Sequence, residues 1–343
     1  MEYSLKIRIF KSNRNSKEYQ KKIKISSEKG YFLETQMVST QKPIFAVIGA
    51  TGLQGKSVLA EAHKTGQYQL RAITRNPKSE KAQKLLSDYP GIEVVEANNN
   101  DVKSLVAAFK GAEYAFLVTN FFDPEEHMDP DTDYKQGKNL ADAAKEAGVK
   151  FVLWSSLHNA EEISKGTINV PHFTGKNKVE GYMKSIGLEF TALYGGWFAN
   201  NWERFGMGPS REKDGSLVLR LPLSADVEVP VIDVEADFGK FAMRVLQNPK
   251  EYAGKHILVA SKYQTFPQIA EDYTRVTGES IKIVQVPVES VPVREFQEMF
   301  KFINKYGSFN GELIDNDEFF GKDKPKLNSF ADYLERSGYR IPK

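Results

Sequence analysis

The stretch with the most evident chemistry is Gly49-Ala50-Thr51-Gly52-Leu53-Gln54-Gly55, three glycines in the spacing G-x-x-G-x-x-G. An apolar run, Ile44-Phe45-Ala46-Val47-Ile48, leads into it, and a segment of helical composition, Lys56 to Lys64, follows it. In that setting the first glycine permits a tight turn and the second lets backbone N–H groups approach a pyrophosphate. The third removes a side chain where helix and strand meet, and the helix dipole favours the anion. Thr51 and Gln54 can add side-chain hydrogen bonds. The motif taken alone also fits a purely structural strand-to-helix turn.

About 20 residues on, an acidic residue would select NAD(H) through the ribose 2′-hydroxyl. The chain instead has Thr74-Arg75-Asn76-Pro77-Lys78-Ser79. A guanidinium can grip a 2′-phosphate with two hydrogen bonds, and Lys78 adds a point charge, so the expected cofactor is NADP(H), with Arg75 as the selecting residue. A solvated basic loop is the competing reading of the same residues.

Other chemistries find less support. There is no cysteine, hence no disulfide, thiolate nucleophile or cysteine-bound metal. The five histidines, at positions 63, 127, 158, 172 and 256, lack metal-ligand spacing, and no metal is expected. The acidic run from Asp123 to Asp133 reads as a solvated loop that could border a substrate crevice. No apolar run reaches the length of a membrane span, and a net charge of +2 gives no general case for nucleic acid. Residues 1–36 hold nine lysines and arginines against four acidic residues. Segment 1–40 is therefore expected to be a disordered basic extension, and the protein to be cytoplasmic, with nuclear entry left open by that segment.

The elements that must position these residues alternate. Strands are expected at Ile44–Ile48, Leu70–Thr74, Ile92–Val95, Tyr114–Val118, Phe151–Trp154 and Glu189–Leu193. Helices are expected between them at Lys56–Lys64, Glu80–Ser87, Val102–Phe109, Tyr134–Ala147 and Val179–Ser185. Such alternation implies right-handed crossovers and a parallel sheet that binds ligands beyond its carboxyl edge. The expected fold is α/β, a Rossmann-type doubly wound parallel sheet over residues 41–195. A smaller C-terminal α+β lobe, with segments crossing back, takes residues 196–343 and the substrate side. Within it, β-like pieces near Ser216–Leu221 and His256–Val259 mix with helices at Val234–Leu246, Phe266–Val276 and Val293–Lys305.

The stretches PIFAVIGATGLQGKSV, RAITRNPKS, LVTNFF, KQGKNLADAAKEAGV, WSSL, PHFTGKNKVEGY and WFANN, in this order, resemble the NmrA-like proteins, an atypical branch of the short-chain dehydrogenase/reductases. The likeness leans towards members that bind NADP(H) and are thought to sense its redox ratio. It implies that Gly49, Ala50, Thr51, Gly52, Leu53, Gln54 and Gly55, with Arg75, Asn76, Lys78 and Ser79, hold the pyrophosphate and adenosine phosphate. It implies further that Asn98 to Asp101 border the adenine and that Thr119, Asn120 and Phe121 pass beneath the ribose with Lys135 nearby. Lys176 and the stretch Phe198 to Asn201 would bracket the nicotinamide. Relatives commonly have Gly-Asp where this chain has Ala97-Asn98, and Arg-x-Pro where it has Tyr194-Gly195-Gly196.

Typical superfamily members reduce carbonyls with a Tyr-x-x-x-Lys pair and a serine. Here Lys176 supplies the lysine and Ser156 follows a strand as the serine should, but His172 stands where the tyrosine is expected. An imidazole can donate a proton near neutral pH, and it can equally be structural. The missing phenol favours a sensor of the NADPH/NADP ratio that acts on a regulatory protein partner. The alternative is an NADPH-dependent reductase of a small quinone-like or aromatic carbonyl substrate.

Overall fold

The computed structural model describes residues 41–342 except 205 and 206, together with three strands before them, Lys6–Ile9, Ile23–Ser26 and Phe32–Thr35. Those three pair antiparallel in chain order and form a unit of their own. The rest of segment 1–40, expected to be a disordered extension, lies outside the described residues.

From Pro43 onward the chain builds one body. Strands β1 (Ile44–Ile48), β2 (Gln69–Thr74), β3 (Glu93–Glu96), β4 (Ala112–Leu117), β5 (Phe151–Ser156) and β6 (Phe190–Gly195) join the edge strand His256–Val259. Every pairing is parallel, and the order across the sheet is His256–Val259, β6, β5, β4, β1, β2, β3. The strand order reverses between β1 and β4, which is where such sheets open a crevice at their carboxyl edge.

Side-chain alternation assigns the two faces. Phe45 and Val47 of β1 point to one side, where Val58, Leu59 and Ala62 of α1 (Leu53–Thr65), Leu85 of α2 (Glu80–Asp88) and Phe238 and Phe241 of α6 (Val234–Gln247) complete a core. Ala46 and Ile48 point to the other, against α3 (Val102–Phe109), α4 (Thr132–Glu146) and α5 (Pro171–Ser185) through Leu105, Leu140 and Val179. A parallel sheet covered on both sides needs apolar residues on both, and β5 is buried at all its positions.

The expected helices are present, and two extend further towards the site. α1 starts at Leu53, inside the glycine turn, and α5 starts at Pro171 rather than Val179. Proline at the first helical position is a start signal, but Val170 before it gives no side-chain cap to reinforce it. α6 and the edge strand His256–Val259 belong to the sheet layers, although they follow residue 195. What remains is a lobe with two three-stranded sheets, strands 197–198, 228–232 and 262–265 in one and strands 210–211, 217–221 and 281–285 in the other. Helices Phe266–Thr277, Arg294–Tyr306 and Phe330–Ser337 pack on them through Phe266, Tyr273, Phe302 and Leu334.

α1 and α6 approach closely. A Cβ on Gly239 would lie 2.2 Å from the Ser57 carbonyl oxygen, and the Gly239 N–H donates to Ser57 Oγ at 2.9 Å. Gly239→Ala must part α6 from α1, and in urea unfolding it is expected to cost about 1–3 kcal/mol or more. Gly181→Ala at an exposed position of α5, where nothing lies within 4 Å of the added atom, is expected to add about 0.5–1 kcal/mol. Equal stabilities for the two variants would contradict this packing.

Candidate functional site

The carboxyl ends of all six long strands border one cavity of about 860 Å³. β1 contributes Ile48 and Gly49, β2 Thr74 and Arg75, and the segment after β3 contributes Asn98, Asn99 and Asn100. The segment after β4 supplies Thr119 to Glu126, β5 Ser155 and Ser156, and β6 Gly195 with Trp197 and Phe198 beyond it. The lobe closes the far end with Arg204, Met207, Phe296, Met299 and Ile303.

The glycine turn has the geometry its spacing predicts. Gly49 has φ +62°, a conformation that side chains disfavour, and a Cβ on Gly55 would sit 2.3 Å from the Gly49 carbonyl oxygen. Gly52 is the N-cap of α1 and offers no side-chain acceptor, so the first-turn N–H groups at Leu53, Gln54 and Gly55 are left for a ligand. The donor set, the dipole and the absence of Cβ atoms all fit a pyrophosphate. Gln54 Nε2 donates to Ser155 Oγ at 2.9 Å, tying the turn to β5.

Arg75 borders the cavity with its guanidinium half exposed, at 2.5 Å from buried Asp123 and 3.9 Å from Glu125. Lys81, which the sequence reading passed over, lines the same end. Asn76, Lys78 and Ser79 are outside the described lining. The Asn76 side chain accepts from the Lys78 N–H, and Ser79 caps α2 by accepting from the Ala82 N–H. Asp101 caps α3 at the Lys103 and Ser104 N–H groups. Lys135, also outside the lining, pairs with Asp129 at 3.1 Å, and Ala50 is wholly buried beneath the turn. Asn98, Thr119, Asn120, Phe121, Phe198 and Asn201 all border the cavity.

The acidic run is only partly solvated. Asp123 is buried and accepts from Asn120 at 3.3 Å, while Glu126 accepts from Asn100 at 2.7 Å and Gln136 at 3.1 Å. Asp133 is fully buried and takes Lys176 Nζ at 3.1 Å; the same ammonium donates to Thr119 Oγ1 at 2.5 Å. α5 thus presents a nearly buried, oriented ammonium to the cavity, with the Trp154 indole N–H fixing the helix backbone by donating to the Lys176 carbonyl at 3.0 Å. His172, one turn earlier, borders the cavity on the same face of α5.

The two serines of β5 part ways, as strand alternation requires. Ser155 meets Gln54, whereas Ser156, although it borders the cavity, donates its hydroxyl to buried Glu180 at 2.6 Å. Glu180 also accepts from Tyr194 at 2.9 Å, and burial raises both groups above their ordinary values. His158 packs edge-on against Tyr194, 3.5 Å from Glu312, and His256 stacks on the same tyrosine. No cluster of acids or histidines suited to a metal occurs among the described residues. Nor does any described helix have the length and apolarity to cross a membrane.

Residues 41–335 match the NmrA-like family, and the chain belongs to it. It is 33% identical over 254 residues to the NmrA-like family domain-containing oxidoreductase FrzB of a Cladobotryum species, covering 70% of this chain and 75% of that one. It is 32% identical over 317 residues to the corresponding oxidoreductase cpsB of Aspergillus campestris, covering 87% and 90%. Among solved structures it is similar to NmrA, a negative transcriptional regulator, in complexes with NAD and with NADP. Each shows 25% identity and a TM-score of 0.66 over 88% of this chain and 93% of that one.

Burial pushes the His158 imidazole down to about 4, with Glu312 opposing and His256 adding to the shift. Between that value and about 6.5, where an unfolded histidine titrates, the unfolded chain binds more protons, so this residue makes stability fall as pH drops through the window. Chemical denaturation at pH 7 and pH 5 should show the loss, and His158→Gln should reduce it. An undiminished loss in the variant would assign the acid sensitivity elsewhere.

Proposed function

We propose that this NmrA-like protein binds NADP(H) and reduces a small aromatic carbonyl or quinone-like substrate. One observation carries the reading: a single cavity runs from the uncapped glycine turn, past Arg75, to an oriented ammonium and an aromatic chamber. The N–H groups at Leu53 to Gly55 would hold the pyrophosphate, Arg75 and Lys81 the 2′-phosphate, and Asn98 to Asn100 the edge of the adenine. Lys176, set by Thr119 and Asp133, would grip the nicotinamide ribose and fix the reactive face. When bound, the cofactor supplies the hydride. Phe121, Phe122, Phe198 and Phe296 would stack a flat substrate and exclude water. The oxidoreductase names of the curated relatives and the NADP complex of NmrA support the same reading.

A second reading, as a regulator that responds to NADP(H) occupancy, is favoured by the ion pair between Arg75 and Asp123; the 2′-phosphate is common to NADPH and NADP, so this pair reports occupancy rather than their ratio. An incoming 2′-phosphate would compete with Asp123 for the guanidinium and repel its carboxylate. Cofactor binding would then loosen segment 121–133 and change the surface offered to a regulatory protein. A ligand shifts such an equilibrium only by binding the two arrangements differently, and this exchange of anions is the difference.

Titration calorimetry should show NADPH binding more tightly than NADH, and Arg75→Ala should weaken NADPH about 10- to 100-fold, the value of one charged bidentate contact, with little effect on NADH. Tighter NADH binding would end the assignment of Arg75. Mixed with quinones and aryl carbonyls, the protein should oxidise NADPH, and Lys176→Ala should abolish this. Binding without turnover, together with faster hydrogen exchange in residues 121–133 under NADPH but not NADH, would replace the reductase by the regulator.

A further inference from the structure

The lobe sends one acidic side chain to the site from a distant part of the sequence. Glu295, in the first turn of helix Arg294–Tyr306, makes a short contact from Oε1 to His172 Nδ1 and accepts the His172 backbone N–H at 3.1 Å. The same carboxylate therefore orients the imidazole and caps α5, whose own N-cap provides nothing. Both side chains are nearly buried, with 8% and 11% of their surface exposed. The ring is surrounded by Phe121 at 5.6 Å, Phe122 at 5.2 Å and Phe173 at 4.7 Å between centroids. Nε2, on the far side of the ring from Glu295, has no hydrogen-bond partner among the described residues, and His172 borders the cavity. The other charged groups at this end are Lys176, paired with Asp133, and Arg204.

We propose that His172 and Glu295 are a proton-delivering dyad that takes the place of a catalytic phenol, serving an aryl ketone, aryl aldehyde or quinone seated against Phe121 and Phe122. This rests on the reductase reading above. With Nδ1–H donated to the carboxylate, the second proton of an imidazolium sits on Nε2 and faces the cavity. As NADPH gives hydride to the substrate and becomes NADP, the Nε2–H bond breaks and that proton forms the O–H bond of the product alcohol or hydroquinone. Neutral His172 then regains a proton from water. Glu295 is a positioning residue throughout and keeps its charge.

The full-length protein, NADPH and one responsive quinone or aryl carbonyl suffice for the test. His172→Ala should lower kcat about 100-fold or more, the usual scale for a general acid, with the affinity for NADPH unchanged. Added imidazole should restore part of the rate saturably, which a merely structural role would not allow. Glu295→Gln keeps an oxygen acceptor for the α5 cap while removing the charge, and should lower kcat about tenfold with normal folding. A readout without turnover is nitrogen-15 NMR of the cofactor-free protein, which should find neutral His172 protonated at Nδ1. Turnover that survives His172→Ala, a rate that imidazole fails to restore, wild-type kcat in Glu295→Gln, or the Nε2-protonated form would each overturn the dyad while leaving the reductase standing. Failure of the native protein to oxidise NADPH with any such substrate would overturn both.

Discussion

The approach of Gly55 to the carbonyl of Gly49 is the constraint from which the site follows. With 2.3 Å between that oxygen and the place a Cβ would occupy, α1 can sit on the end of β1 only because both residues lack side chains. This seating aims the open first turn of α1 at the switch point between β1 and β4. Once that direction is set, residues just past the strand ends converge by topology alone. They need no long-range signal of their own, because a parallel sheet gathers all its carboxyl termini along one edge. The close contact of Ser57 with Gly239 then holds α6 tightly beside α1 and keeps that aim.

Features encoded within a few residues were legible. The glycine spacing matches the turn, the apolar runs match the strands, and the basic residue after β2 borders the cavity. Local features with two uses were harder. Asp101 and Ser79 are N-caps, a role that their position just before helical segments would have suggested. Lys135 faces acids within its own turn and the loop before it. Ser156 could have been distinguished from Ser155 by counting alternation from Trp154, which faces α5. Of the glycines after Tyr194, a Cβ on Gly195 would lie 3.1 Å from the Phe198 ring and one on Gly196 2.1 Å from the Pro230 carbonyl oxygen. They serve close packing rather than mobility.

Glu295 was invisible for a different reason. It lies 123 residues from His172, and nothing in a stretch of amphipathic helix marks one glutamate as turned inward. The other half sits just after Pro171, a start signal whose preceding residue, Val170, supplies no side-chain cap. The same helix carries Lys176, whose partner Asp133 ends the acidic run yet is fully buried. Buried charges persist only when paired and hydrogen-bonded. The acidic and basic members of this site therefore had to be found together, and pairing across elements is what a linear reading sees least.

The return of α6 and strand His256–Val259 to the sheet has a bearing on how the protein is made. When residue 195 has left the ribosome, β6 is still an open edge, and Phe116 of β4 still lacks the cover that Phe238 will give it. Neither defect can be repaired until about sixty further residues have emerged. The nascent nucleotide-binding half must therefore wait, apolar and unpaired, for its closing pieces, and such intermediates invite chaperones or aggregation. A boundary that looks natural in the sequence is thus the wrong place to divide this protein, whether by proteolysis, by gene fusion or by a pause in translation.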